Sequence, residues 1–280
     1  MAIVRLFNSF RRPLKIYWWY WPDKYGKGKD MHNFGDEITA DIVRKIFGFK
    51  SEWAPMRECE LIGSGSIINI AQFDAMGNNI KVWGSGFTAP GNNKNLENLD
   101  FYAVRGKKTM QRIGKSVSLG DPGILANRVY KPAREKNNKI GFLVNYVDAN
   151  LPIVKKAKKD SRFVIIDPLN PPAQVAREIS SCRLVLSSGL HGLIFADSFN
   201  VPNIHIKISD RLLGGEYKFR DYCSGVNKKY KKADISKIFD DAYLEDVIRK
   251  YEPIKDLRSL QKNLIKAFPI KPFTRRKKQL

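Results

Sequence analysis

The chain has 280 residues, 43% of them hydrophobic, which is enough for one large α/β domain or two of ordinary size and excludes a disordered polymer. Lys and Arg number 50 against 28 Asp and Glu, and the resulting formal charge of +22 implies an anionic partner: a phosphorylated metabolite, nucleic acid or acidic lipid headgroups. Cys59, Cys182 and Cys223 are odd in number, widely spaced and outside any Cys-x-x-Cys pair, which argues against a disulfide framework or structural zinc and for a reducing cytoplasm.

At the N-terminus Arg5, Arg11, Arg12 and Lys15 interrupt the apolar residues and no small-residue cleavage site follows, so no signal peptide is expected. No apolar run approaches the roughly 18 residues of a spanning helix, which leaves a soluble or membrane-peripheral chain. Leu14 to Trp19 predicts a strand. It runs into an aromatic cluster, Tyr17 to Trp21, that suits core packing, stacking on sugar rings or a bilayer interface. Asp36 to Phe47 predicts a helix capped near Asp36, with Ile38, Ile42, Val43 and Ile46 on one face. Strands are expected at Glu60 to Ile62, Ile80 to Trp83 and Phe101 to Val104, then a short helix from Gly106 to Ile113.

The basic, polar run Asn127 to Asn138, with Pro132, reads as a linker. Beyond it the alternation is cleaner: strands at Lys139 to Val144, Arg162 to Ile166, Leu184 to Leu186 and Asn203 to Ile206, with helices at Pro152 to Lys158, Pro172 to Ser180 and Leu190 to Phe199. This is the βαβαβ pattern of a parallel sheet covered on both faces. Terminal helices are expected over Asp234 to Lys250 and Ile254 to Phe268, and Arg275-Arg-Lys-Lys278 lies in a basic tail.

Four short Gly-bearing turns stand out: Asn33-Phe-Gly-Asp36, Gly63-Ser-Gly-Ser66, Gly84-Ser-Gly86 and Gly120-Asp-Pro-Gly123. Glycine at a strand end lets a ligand approach backbone amides closely, so four such turns in one half suggest a ligand-lining edge. None fits Gly-x-Gly-x-x-Gly or a Lys-Ser/Thr phosphate loop, which disfavours a nicotinamide or Walker-type ATP site. Arg105, at a strand end, fits either a solvated surface arginine or a clamp for carboxylate or phosphate. His191 follows the Ser187-Ser-Gly189 turn and opens a helix at the carboxyl end of a strand, where α/β proteins bind ligands. It suits a general acid better than a core histidine, whereas His205, alternating with Ile204 and Ile206, reads as structural or edge-exposed. No ligand pair has zinc spacing and no Asp-x-Asp offers a divalent site, so no metal is expected.

In this order, these pieces together with Val104-Arg-Gly106 and Ser187-Ser-Gly-Leu-His-Gly192 resemble the polysaccharide pyruvyl transferase family, with agreement from Tyr17 to Val226. Gly214 to Tyr222 is similar to a segment of bacterial exopolysaccharide members. The resemblance implies an α/β fold of two Rossmann-like domains facing a cleft, as in glycosyltransferase B. Residues 1–130 would lie on the acceptor side, 131–250 on the donor side, and 251–280 would form a terminal helix and basic tail. The implied reaction passes the enolpyruvyl group of phosphoenolpyruvate to sugar hydroxyls of a surface glycan or undecaprenyl-linked oligosaccharide, giving a pyruvate ketal, with phosphoenolpyruvate as co-substrate and no further cofactor.

Carried over residue by residue, His191 is the general acid that protonates the methylene carbon. Arg105, Ser187, Ser188, Gly189 and Lys218 would bind the donor, and Asn33, Asp36, Gly65 and Ser66 the acceptor. Two positions depart from many relatives: Gly189 stands where they carry Arg, and Val144-Asn145-Tyr146 where they carry Pro-His-Tyr. Donor affinity must then come from Arg105, Lys207, Arg211 or Lys218, or the donor is another molecule. The expectation is a cytoplasmic enzyme, peripheral at the inner face of the membrane, its tail either held by acidic lipids or simply solvated. A glycosyltransferase with a nucleotide-sugar donor is the rival in the same kind of cleft. A nucleic-acid partner is suggested by charge alone, without a recognition helix or aromatic β-sheet motif, and is not expected.

Overall fold

The computed structural model describes residues 12–19, 33–74, 79–93 and 95–274. The expectations for residues 1–11, Tyr20, Trp21, His32 and the tail Arg275 to Lys278 lie outside the described residues.

Two wholly parallel sheets carry the molecule. The first forms from β1 (Leu14–Tyr17), α1 (Phe34–Phe47), β2 (Ser51–Trp53), β3 (Leu61–Ile62), α2 (Ile68–Asp74), β4 (Ile80–Trp83), β5 (Leu99–Val104), α3 (Lys107–Ile113) and β6 (Ser118–Leu119). Its strand order is β2-β1-β3-β4-β5-β6. A parallel sheet covered on both faces buries successive side chains alike, which is why Val82 and Trp83 are both fully buried. Strands β2 and β6 and helix α2 were not expected. They are short and lack enough residues to show a period.

Helix α1 begins earlier than the sequence suggests. Asn33, with extended backbone, is its N-cap: its side-chain oxygen accepts from the Gly35 amide at 3.0 Å. Asn33-Phe-Gly-Asp36 is therefore a helix start and not a turn. Asp36 and Glu37 in the first turn and Arg44 and Lys45 in the last complement the helix dipole, and Gly48 closes the helix in the left-handed region at φ 74°.

A 3₁₀ turn (Pro122–Leu125) leads into α4 (Ala126–Val129), which takes up the start of the expected linker. The second sheet follows: β7 (Ile140–Leu143), α5 (Pro152–Lys159), β8 (Phe163–Ile166), α6 (Pro172–Ser181), β9 (Leu184–Ser187), α7 (Leu190–Ser198) and β10 (Asn203–His205), in the order β10-β9-β7-β8. These elements fall where the apolar alternation places them, with ends shifted by a residue. The chain ends in α8 (Tyr217–Gly225), α9 (Asp241–Arg249), α10 (Leu257–Lys266) and α11 (Ile270–Thr274). Asp234 to Lys250 is not one helix. Asp240 takes an extended backbone and caps α9 by accepting from the Ala242 amide at 2.9 Å, which separates it from a 3₁₀ turn at Ile235–Lys237.

The largest apolar cluster runs across both sheets. Ile38 and Ile42 of α1 meet Leu125, Ile194 and Phe195 of α7, and Leu264 of α10. Phe34 sets its edge on Phe195 at 4.8 Å, and Phe268 stacks on Phe47 at 3.8 Å. The Trp83 indole donates to the Leu264 carbonyl at 2.8 Å, so the C-terminal helices return to the first sheet. His205 is structural: it stacks on Phe219 at 3.8 Å and bonds Tyr230 at 2.7 Å, and burial pushes it down to about 4.

Candidate active site

Loops at the carboxyl ends of strands from both sheets enclose a cleft of ≈ 460 Å³. Residues 65–67 and 88 contribute from the first sheet, and residues 145–147, 168 and 189–191 from the second. The end of α1 supplies Asn33, Phe34 and Asp36, and α8 supplies Lys218.

His191 stands in the first turn of α7, its side chain 12% exposed. One glycine makes room for it, and a second makes room for the serine turn that precedes it. A methyl at Gly35 would land on the imidazole ring, and one at Gly192 would strike the Ser187 side chain. Phe34 sets its ring edge-on to the imidazole at 6.3 Å. The glycine of the first motif is thus a flat bed for the histidine, supplied by a helix of the other sheet.

Behind the ring lies a polar chain that crosses the molecule. His191 Nε2 is 2.9 Å from Ser64 Oγ, and Ser64 donates to Asp121 Oδ1 at 2.8 Å. Ser64 and Asp121 are fully buried. Burial alone raises the Asp121 carboxyl, but the hydrogen bond and charge of His191, with bonds from the Gly123 amide and Ser64, hold it below its ordinary value. An ionised Asp121 accepts only, and Ser64 has a single proton. Ser64 therefore gives that proton to Asp121 and receives one from Nε2–H of His191. Asp121 Oδ2 also lies 3.7 Å from His191 Nε2 directly. This differs from a nucleophilic Ser-His-Asp triad, where the carboxylate binds the nitrogen opposite the serine.

Ser64→Ala should remove the acceptor of Nε2–H and leave a buried donor unsatisfied, a cost of about 1–3 kcal/mol. Turnover should fall roughly ten- to a hundredfold with the donor KM little changed, since an equal loss in the transition state alone appears in kcat. Steady-state kinetics across pH would check this, and an unchanged kcat would remove Ser64 from the chain.

Asp36 and Lys218 share the cleft. Burial pushes the Asp36 carboxyl up to about 6, against the charges of His191 and Lys218, which lower it. Since the folded value lies above the ordinary 3.8, folding stability falls as pH rises between those two values. Burial, together with the charge of Arg105, pulls Lys218 down to about 8, opposed by Asp36. Lys218 is held there by α8, a helix the sequence did not suggest.

Arg105, expected to clamp the donor, is not among the residues that line the cleft. Its side chain is fully buried; Nε donates to Asp221 at 3.0 Å, one terminal nitrogen to Ser66 Oγ at 2.7 Å and the other to the Phe87 carbonyl at 2.6 Å. Asp221, one turn after Lys218 on α8, also accepts from Thr109 Oγ1 at 2.7 Å. Arg105 therefore ties α8 to the first sheet and steadies Ser66 from behind. Gly86 permits this, because a side chain there would collide with the guanidinium.

Ser187 and Ser188 also turn away from the cleft. Ser187 closes its own turn by donating to the Gly189 carbonyl at 2.8 Å, and Ser188 accepts from the Asn145 amide at 2.9 Å. Of the expected residues, the cleft gathers His191, Gly189, Lys218, Asn33, Asp36, Gly65 and Ser66. Ser64 and Asp121 were missed as functional residues, although both lie inside motifs the sequence singled out.

A second cavity, ≈ 300 Å³, lies beside Asp197 and Lys228. Its polar centre is already satisfied: Asp197 accepts from Lys228 at 2.6 Å, Asn203 at 2.7 Å, Tyr222 at 2.8 Å and Tyr251 at 3.0 Å. Among the described residues no group of three His, Cys, Asp or Glu side chains could hold a metal ion, and no helix is long and apolar enough to cross a membrane.

Comparison with known proteins agrees with the ordered motifs. The succinoglycan biosynthesis protein ExoV of Rhizobium meliloti (strain 1021) is 26% identical over 220 residues, 76% of this chain and 66% of that protein. The uncharacterized protein L143 of Acanthamoeba polyphaga mimivirus is 31% identical over 147 residues, 47% of this chain and 50% of that one. The match thus spans just under two thirds of the first relative's length and half of the second's. The profile of the family described as polysaccharide pyruvyl transferase covers residues 5–210, from before β1 to beyond β10 and so through every loop that supplies His191, Ser64 and Asp121. By that match the chain belongs to the polysaccharide pyruvyl transferase family.

Proposed function

We propose that the protein transfers the enolpyruvyl group of phosphoenolpyruvate to two hydroxyls of a sugar, forming a pyruvate ketal on an exopolysaccharide precursor or lipid-linked oligosaccharide. One observation carries this reading: a histidine backed by a buried carboxylate faces a cleft that also holds an ammonium group, Lys218. An enol phosphate needs that pairing. Its methylene carbon takes a proton from the imidazolium, and the cation that results at the adjacent carbon is open to attack by a hydroxyl. Lys218 and Arg211, which line the cleft, would meet the donor's phosphate and carboxylate in place of Arg105.

The two parallel sheets and the cleft between them support a glycosyltransferase B-like arrangement of two Rossmann-like units. In it, residues 1–130 attend the acceptor and 131–250 the donor, with phosphoenolpyruvate as co-substrate and no further cofactor or metal. The large positive charge supports action at the acidic inner face of the cell membrane, where a lipid-linked acceptor would lie. Purified protein incubated with phosphoenolpyruvate and lipid-linked oligosaccharide should release inorganic phosphate and add the mass of a pyruvate ketal to the glycan, read by mass spectrometry. Nucleotide release from a sugar nucleotide, with no phosphate from phosphoenolpyruvate, would reject this reading in favour of glycosyl transfer.

A further inference from the structure

Ketal formation needs a base as well as an acid. One proton must reach the methylene carbon, and two acceptor hydroxyls must each lose one. His191 accounts for the first transfer; among the described residues that line the cleft, Asp36 is the one carboxylate available for the others.

Asp36 sits one residue beyond Gly35, the residue on which the imidazole ring lies, so acid and carboxylate border the same space. Gly65, at φ 105°, leaves room for that carboxylate: a side chain there would crowd Asp36 Oδ1 at 2.8 Å. Among the described residues the Asp36 side chain makes no hydrogen bond and no ion pair, whereas the buried carboxylates Asp121, Asp197 and Asp221 are each held by several donors. A cleft carboxylate with no donor contributes nothing to holding the fold together. It is the arrangement of a group awaiting a proton.

We infer that Asp36 is the general base that accepts the proton of the attacking sugar hydroxyl. The inference rests on the pyruvyl-transfer reading above and deepens it. The steps balance as follows. His191 gives its proton to the methylene carbon, and the double-bond electrons form the new C–H bond. The first hydroxyl oxygen bonds to the cationic carbon while its proton passes to Asp36. The carbon–oxygen bond to phosphate then breaks, phosphate keeps the electron pair, and Asp36 returns the proton to it. The second hydroxyl closes the ketal, and its proton restores the His191 imidazolium. No proton is drawn from or lost to solvent.

The groups facing Asp36 are His191 from α7, Lys218 from α8, Tyr146 after β7, Asp121 beyond β6 and Glu37 on its own helix. With Asp36 required in its ionised form, phosphate release should rise with pH through about 6. The test compares the unsubstituted enzyme with Asp36→Asn and Asp36→Glu, with phosphoenolpyruvate and acceptor in deuterated water. Deuterium entering the methylene of recovered phosphoenolpyruvate reads the His191 step, and phosphate release reads completion.

Asp36→Asn should keep the exchange, lose phosphate release by about 10²–10⁴-fold and lose the acidic limb. Asp36→Glu should retain that limb with part of the release. Asn at full release, loss of exchange together with release, or an acidic limb surviving in the Asn variant would each overturn the base role. Absence of phosphate release from the unsubstituted enzyme would instead reject phosphoenolpyruvate as donor.

Discussion

Replacing His191 by alanine lowers phosphate release from phosphoenolpyruvate by about 10²–10⁴-fold, the range ordinarily supplied by one positioned proton donor. The effect should fall on kcat, because the imidazole donates its proton only in the transition state. The fold should survive. The ring borders the cleft, and Ser64 keeps its bond to Asp121 when the ring is gone. His191→Gln should do no better than alanine, since an amide can occupy the place and bond Ser64 but cannot deliver a proton. Single-turnover phosphate release beside a thermal melt separates the two effects. Turnover within about a factor of ten of the unsubstituted protein, in either variant with the melt unchanged, would exclude proton donation by His191.

Arg105→Met should act on stability first, by about 3–5 kcal/mol, because it strands Asp221 as a buried, uncompensated charge. Asp221 and Arg105 are both wholly buried and 3.0 Å apart, so no solvent can take over the lost partner. Pairing the substitution with Asp221→Asn should return a good part of the loss. The amide is neutral, its oxygen still accepts from the Thr109 backbone N–H, and its NH2 can donate to the Thr109 hydroxyl. Urea unfolding of the four proteins gives the coupling directly. If Arg105 instead faced the donor, the single variant would unfold normally and show only a raised KM for phosphoenolpyruvate.

Much of the architecture is legible in the sequence. The second sheet reads off the chain because its central strands β7 and β9 are buried on both faces and helices α5 and α6 on one, so burial writes itself into local apolar period. His191 was legible for a related reason: a polar turn after the apolar run Leu184 to Leu186 marks a strand's carboxyl end, and a histidine there is out of place in a core. The motif glycines were also visible, but as candidate ligand contacts. Several proved to be packing contacts, Gly35 against His191 and Gly86 against Arg105.

What the chain alone did not disclose lies in side-chain bonds between distant residues. Ser64 and His191 are separated by 127 positions, Ser64 and Asp121 by 57, and Arg105 and Asp221 by 116. A serine or aspartate spells the same in sequence whether water or a buried partner satisfies it, so no local period records the difference. The amino-acid order determined a parallel sheet in the second half and a histidine at a strand end. Only the tertiary structure decided that Arg105 would be buried by α8, that Asp121 would stand behind the histidine, and that Asp36 would share its cleft, because those outcomes depend on which surfaces meet.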